Sequence, residues 1–300
     1  MTASSHAAAR IKFRQHRLLP SGCMQRKGFN VHVVGGDVHG KYFAFCSTLA
    51  VYVYDIKTLQ LYRLLSTADN LAGLAWCMSQ QYGHWLASVS LSRKVVVYDI
   101  ETEQIVYDVL LPHHPVSFQW HPLSLQLIVA TADPLGKTSS ASTLLCWTID
   151  HPNRSTALNT LRPHSTVLAG GSAVTVIRFN TAGTLAIGLE YVGLSSPFDN
   201  ESCPSLRVLF HARNGCIVIY NEKDPTLRVL DKKKIKKQTA PASPSASNAI
   251  IDLQWDGLST IYLLVATRDG HCALWEVTDV TGAPLHSFDK QGSGTSAISW

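Results

Sequence analysis

The chain has 300 residues, of which 46% are hydrophobic and only 16% charged, against ~25% charged residues in an ordinary soluble domain. There is ample apolar material for a core, yet no window approaches the ~20 uninterrupted apolar residues that a membrane-spanning helix needs. The formal charge of +5 is uneven: Arg10, Lys12, Arg14, Arg17, Arg26 and Lys27 stand in a first segment without acidic residues, so the remaining body is nearly neutral and offers no long-range field to steer nucleic acid or an anionic membrane.

After a basic leader expected over residues 1–28, short β-patterned stretches follow one another to the end of the chain. The first unit, about 29–66, reads NVHVV, KYFAFCS, AVYVYD and LQLYRLL. The second, about 69–112, runs through LAGLAWC, WLASVS and KVVVYD to EQIVYDVLL, with a tight polar turn at 91–93. Val, Ile and Tyr at alternate positions suit a half-buried pleated surface. The third unit, about 114–165, opens with PVSFQWHPLS, continues through LQLIVATAD and resumes at STLLCWTID after an interruption at 134–141.

The fourth unit, about 173–230, opens with AVTVIRFN and closes with RVLFHARNGCIVIYNEKD. Asn214-Gly215 is a hairpin signal, because both residues tolerate positive φ. The segment 184–205 between them is either a second strand or a loop insertion. A lysine-rich stretch then gives way to Ala, Pro and Ser over 232–247, a composition that predicts a mobile loop. The fifth unit, about 248–290, reads AIIDLQWDGLS, YLLVATRDG and HCALWEV, and SAISW starts a sixth within 294–300. That last start, lacking the other strands of its unit, predicts a chain that continues into further sequence or pairs with another copy.

Two aromatic ladders run through these units. Tyr54, Tyr98, Trp147, Tyr220 and Trp275 end one kind of strand; Trp76, Trp120, Phe179, Trp255 and Trp300 end another. A period in the forties is the mark of a repeat architecture, and four short strands per repeat point to the blades of a β-propeller. The expected fold is therefore all-β, with five blades and the first strand of a sixth. Trp76, Trp120, Trp147, Trp255 and Trp275 are expected to be buried between blades.

The units resemble WD repeats. The stretch LASVSLSRKVVVYD matches that family's small-residue strand, polar turn and aromatic-Asp ending, and Asp269-Gly270 precedes Trp275 at the family's spacing. The resemblance implies a buried hydrogen-bond network of Asp, His, Ser/Thr and Trp within each blade. Here that network is eroded to Tyr54-Asp55, Tyr98-Asp99, Trp147-Thr148 and Tyr220-Asn221, with His113 and His114 as the survivors of the Gly-His pair. RLLPSGCMQRKGFNVHV, KYFAFCSTLAVYVYD and WDGLSTIYLLV are similar to one group within the family, long proteins in which propellers precede helical repeats and to which no catalysis is assigned.

Signals of chemistry are weak. GKTSS at 136–140 lacks the upstream glycine of a phosphate-binding loop, with Thr131 in its place, and a strand follows where a helix should. Cys23, Cys46, Cys77, Cys146, Cys203, Cys216 and Cys272 form no CxxC pair or zinc-ligand spacing. Their odd number suits a reducing compartment, where the glycosylation patterns at Asn153 and Asn200 carry no meaning. His113, His114 and His121 cluster around one strand, but a metal site would need convergent carboxylate or thiolate support. The expectation is a scaffold for protein–protein contacts, without catalytic, cofactor or metal residues, in the cytoplasm or nucleus. Loops 134–141, 191–205 and 232–247 are its candidate determinants. Two rivals stand beside it: a nucleic-acid-associated propeller using the leader and the lysine stretch, and a propeller enzyme.

Overall fold

The computed structural model describes residues 34–132, 142–148, 164–168, 172–191, 207–212, 215–220, 250–268, 270–278, 284–288 and 298. The leader 1–28 lies outside these residues, as do the loops 134–141 and 232–247, the GKTSS stretch, Asp269 and Trp300. All of the described elements are β-strands, arranged in five four-stranded antiparallel sheets.

The first sheet holds β1 (Val34–Gly36), β2 (Tyr42–Cys46), β3 (Ala50–Asp55) and β4 (Leu61–Ser66). The second holds β5 (Leu71–Trp76), β6 (Trp85–Ser90), β7 (Lys94–Asp99) and β8 (Gln104–Leu110). The third is formed by β9 (His114–Trp120), β10 (Gln126–Ala132), β11 (Ser142–Thr148) and β12 (His164–Leu168). The fourth contains β13 (Ser172–Phe179), β14 (Leu185–Tyr191), β15 (Arg207–Ala212) and β16 (Gly215–Tyr220). The fifth contains β17 (Ile250–Trp255), β18 (Tyr262–Thr267), β19 (Cys272–Glu276) and β20 (His286–Phe288).

Four sheets are simple meanders; the fourth is not. Its order is β13-β14-β16-β15, so the strand on the outer edge precedes its inner neighbour in sequence. Leu185–Tyr191 is the second strand of this sheet, which settles one of the two readings of that stretch. The Asn-Gly pair falls at the β15–β16 junction, where Ala212 faces Gly215.

The first strands of successive sheets lie against one another: β1 by β5, β5 by β9, β9 by β13 and β13 by β17. Apolar clusters fill each interface. Tyr42, Ala44, Val51 and Val53 of the first sheet meet Leu74, Trp76, Leu86 and Tyr98 of the second. The opposite face of the second sheet, with Ala87, Val89, Val95 and Val97, meets Phe118, Trp120, Val129 and Trp147 of the third. Ala130 and Leu144 then meet Ile177, Leu185 and Ile187, while Val176, Ala186 and Ile217 meet Leu253, Trp255, Val265 and Trp275. A middle strand covered on both faces cannot alternate apolar with polar, which is why every residue of β6 is buried. The outer strands β4, β8 and β20 are exposed or half-buried, Leu65 excepted.

Both aromatic ladders meet in one register. Trp76 and Tyr98 lie opposite Leu86, Trp120 and Trp147 opposite Leu127, and Trp255 and Trp275 opposite Leu263. Phe179 and Tyr220 flank Leu185 in the fourth sheet, and Gly36 and Tyr54 flank Phe43 in the first. Directly opposed residues share a sheet face, so each sheet carries one such rung. Trp76, Trp120, Trp147, Trp255 and Trp275 are all buried. The fourth and fifth sheets come close at Gly188, where an added Cβ would lie 2.7 Å from Val176 Cγ1 and 2.9 Å from Ile250 Cγ2.

Candidate interaction surface

One bond recurs between sheets. The indole Nε1–H of Trp76 donates to the carbonyl of Gly35 (2.9 Å), that of Trp120 to Ala75 (3.1 Å) and that of Trp255 to Arg178 (3.1 Å). Each acceptor sits one residue before the rung position of the preceding sheet. A buried indole N–H needs an acceptor, and the neighbouring first strand supplies it, fixing the heights of successive sheets relative to one another.

Because the first strands share that height, their following turns come out at one end of the assembly: 37–41, 77–84, 121–125, 180–184 and 256–261. Four of these turns begin with a side chain that caps them. Asp37 Oδ1 accepts from the amides of Lys41 and Tyr42, and Asn180 Oδ1 from those of Ala182 and Thr184. Asp256 accepts from Leu258 and Ser259 through its two oxygens. At His121, Nδ1 accepts from the amides of Leu123 and Ser124, so the Ser124 hydroxyl 2.8 Å away donates to it as well. This is a within-turn role for the histidine. The third turns emerge at the same end, since Ile56, Ile100 and Val277 donate to Lys41, His84 and Ile261 respectively. Asp55 and Asp99 cap those third turns through Thr58 and through Glu101 and Thr102.

Neighbouring turns touch. Gly83 lies against Val38 and His39, Gly183 against His121, and Asn180 Nδ2 donates to the carbonyl of Thr260. Together they make a rim on which Met78, Leu123 (58% exposed) and Leu258 (99% exposed) stand clear of the body. A crevice of about 250 Å³ opens between the fourth and fifth sheets, lined by Gln119, Arg178, Asn180, Gln254, Trp255 and Asp256. Its polar groups are engaged within the chain: Gln119 Oε1 accepts from the amide of Phe179 (2.8 Å), and Asn180 and Asp256 cap their turns.

Beneath the crevice lies an ion pair. Arg178 Nη2 is 2.9 Å from Asp252 Oδ1, with both side chains buried. Burial pushes the guanidinium pKa down and the adjacent carboxylate opposes that shift. Arg178 also donates to the carbonyl of Ile177, and Asp252 accepts from its own neighbour Leu253. The two residues are far apart in sequence and follow no motif. The available signal was a single charge inside each of two apolar strands, AVTVIRF and AIIDLQW.

Among the described residues no three His, Cys, Asp or Glu side chains converge as a metal site, and no helix is long and apolar enough to cross a membrane. Cys46, Cys77, Cys146 and Cys272 carry no disulfide; burial pushes the Cys77 thiol up to about 11, which disfavours the reactive thiolate. Among the described residues His113, His114 and His121 form no common cluster with a carboxylate or thiolate. No known protein-family model matches the chain.

Proposed function

We propose that the chain is a WD-type β-propeller segment, each sheet a blade, that acts in the cytoplasm as a non-catalytic scaffold for protein–protein contacts. Its stretches KYFAFCSTLAVYVYD and WDGLSTIYLLV are similar to the N-terminal propeller of WD repeat-containing protein 17. The observation that carries the scaffold reading is the rim. Consecutive turns brace one another, commit their polar side chains to capping, and leave Met78, Leu123 and Leu258 projecting. Rigid presentation of exposed apolar side chains lowers the ordering cost of association. A protein partner is favoured over nucleic acid because Lys41, Arg63 and Lys94 already pair with Glu101, Glu103 and Asp108.

The test is co-purification from cell extract by the native chain and by the Leu123→Asp/Leu258→Asp double variant, with melting followed in parallel. Loss of the same partner proteins at unchanged melting temperature is the expected outcome. An unchanged partner set contradicts the assignment of the rim, and salt-sensitive capture of RNA or DNA in their place contradicts the protein scaffold.

A further inference from the structure

The crevice between the fourth and fifth sheets is lined at its mouth by a glycine that neither backbone nor packing requires. Gly40, Gly83, Gly183 and Gly257 lie in the rim turns that follow the first strands, and three of them have a local reason to be glycine. Gly40 and Gly183 have φ of +65° and +84°, where a side chain is strained, and a Cβ at Gly83 would press into Val38 and His39. Gly257 has neither reason: its φ is not left-handed, and a Cβ there would meet nothing within 4 Å. Two residues beyond the rung, the other sheets carry Val38, Met78, Pro122 and Thr181 at this place. In the fifth sheet the place is left clear.

Size and charge define what fits. The crevice holds about 250 Å³, less than the ~300–1,000 Å³ of sites that enclose a drug-sized ligand, and it suits a single long side chain. Two charged residues line it, Arg178 and Asp256. Arg178 is matched by Asp252 at 2.9 Å with both side chains buried, so that pair is neutral as a unit. Asp256 has no such match: among the described residues no basic side chain pairs with it. Its two oxygens each accept one amide of the turn, which leaves a carboxylate with acceptor capacity to spare. The charge left over is negative, and half-buried Phe179 supplies an aromatic wall. A guanidinium matches both features, because it pairs with a carboxylate through two N–H groups and stacks on rings.

We propose that this crevice receives one arginine side chain of a partner protein, with the guanidinium on Asp256 and the stem along Phe179. Leu258, next to Gly257 and 99% exposed, then meets an apolar neighbour of that arginine. Taken with the scaffold reading on which this rests, the partner presents an exposed arginine flanked by apolar residues.

The probe is a capped peptide, Gly-Leu-Arg-Leu-Gly, titrated into the full chain while the indole signals of the seven tryptophans are followed by NMR. The signal lost in Trp255→Phe identifies Trp255, which lines the crevice. A saturable shift of that indole is expected, and replacing arginine by citrulline, its neutral isostere, should weaken binding at least about tenfold. Asp256→Asn should weaken it by a similar factor. Gly257→Phe should block it while the Trp76 and Trp120 indoles keep their positions, as they do only in a folded chain. No saturable shift by about 10 mM peptide, equal binding of the citrulline peptide, or binding unchanged in either variant overturns the arginine assignment. If the Leu123→Asp/Leu258→Asp variant still loses its partner proteins, any of those results leaves the scaffold reading standing. Arginine binding without that loss refutes the rim and not the crevice.

Discussion

Val129→Thr exchanges a buried methyl for a hydroxyl and should be tolerated, for a reason specific to its neighbour. Among the described residues the buried indole Nε1 of Trp147 has no acceptor. In the second sheet the equivalent aromatic residue, Tyr98, shares a hydrogen bond with Ser88, two residues beyond Leu86 on β6. Val129 holds the corresponding place two residues beyond Leu127 on β10, so an apolar side chain stands where the second sheet has a hydroxyl, a group able to accept as well as donate. A buried donor left unsatisfied costs about 1–3 kcal/mol, and supplying its partner should recover much of that. Burying a threonine hydroxyl among apolar groups costs a similar ~1–3 kcal/mol. At position 129 the two effects oppose each other, and the net change should lie within about 1 kcal/mol of zero, tending towards stabilisation. Val51→Thr is the control: Val51 is fully buried between Cys46 and Leu65 and should lose the full ~1–3 kcal/mol. Urea denaturation of the three proteins, followed by tryptophan fluorescence, measures the difference. Equal destabilisation by both substitutions would refute the account of Trp147.

Removing one partner of the Arg178–Asp252 pair by Asp252→Ala should cost about 3–5 kcal/mol in chemical denaturation, since it strands a buried charge. Restoring much of that loss by adding Arg178→Met would confirm the cause. Gly188→Val should destabilise by at least about 1–3 kcal/mol through overpacking against Val176 and Ile250, read as a lower denaturation midpoint; an unchanged midpoint would show that the sheets part easily. The pKa of Asp256 lies below its ordinary value because its turn neighbours stabilise the carboxylate, Ser259 most and the amide of Leu258 next. Its stabilisation is therefore complete above the ordinary carboxylate pKa and is lost as pH falls through the lower folded value. Stability measured from pH ~5 down to pH ~2 should fall less steeply in Asp256→Asn than in the native chain.

The strands were legible because the interfaces demand it: a strand covered on both faces must read as KVVVYD or WLASVS, and an outer strand can carry Arg63 or Asp108. Both ladders were legible as aromatic spacing, since one recurs along first strands and the other along third strands. Their meeting on a single leucine in four sheets was not, because register depends on pairing between strands that sequence alone does not align. The strand order of the fourth sheet was hidden for a related reason. RVLFHARNGCIVIY states that two strands form a hairpin, but not which one lies outermost. The rim was invisible because Asp37, His121, Asn180 and Asp256 are different residue types performing one task, and no single-letter pattern links them. Arg178 and Asp252 announced themselves only as charges out of place.

The central claim is that successive sheets are seated on one another through their first strands at one fixed height. An NMR experiment on deuterated protein, with tryptophan and alanine selectively protonated, tests it most directly. The account predicts a through-space contact between the Trp120 indole proton and Ala75, whose carbonyl accepts it, together with slow exchange of the Trp76, Trp120 and Trp255 indoles. Absence of the Trp120–Ala75 contact in a folded chain, with those indoles exchanging freely, would contradict it.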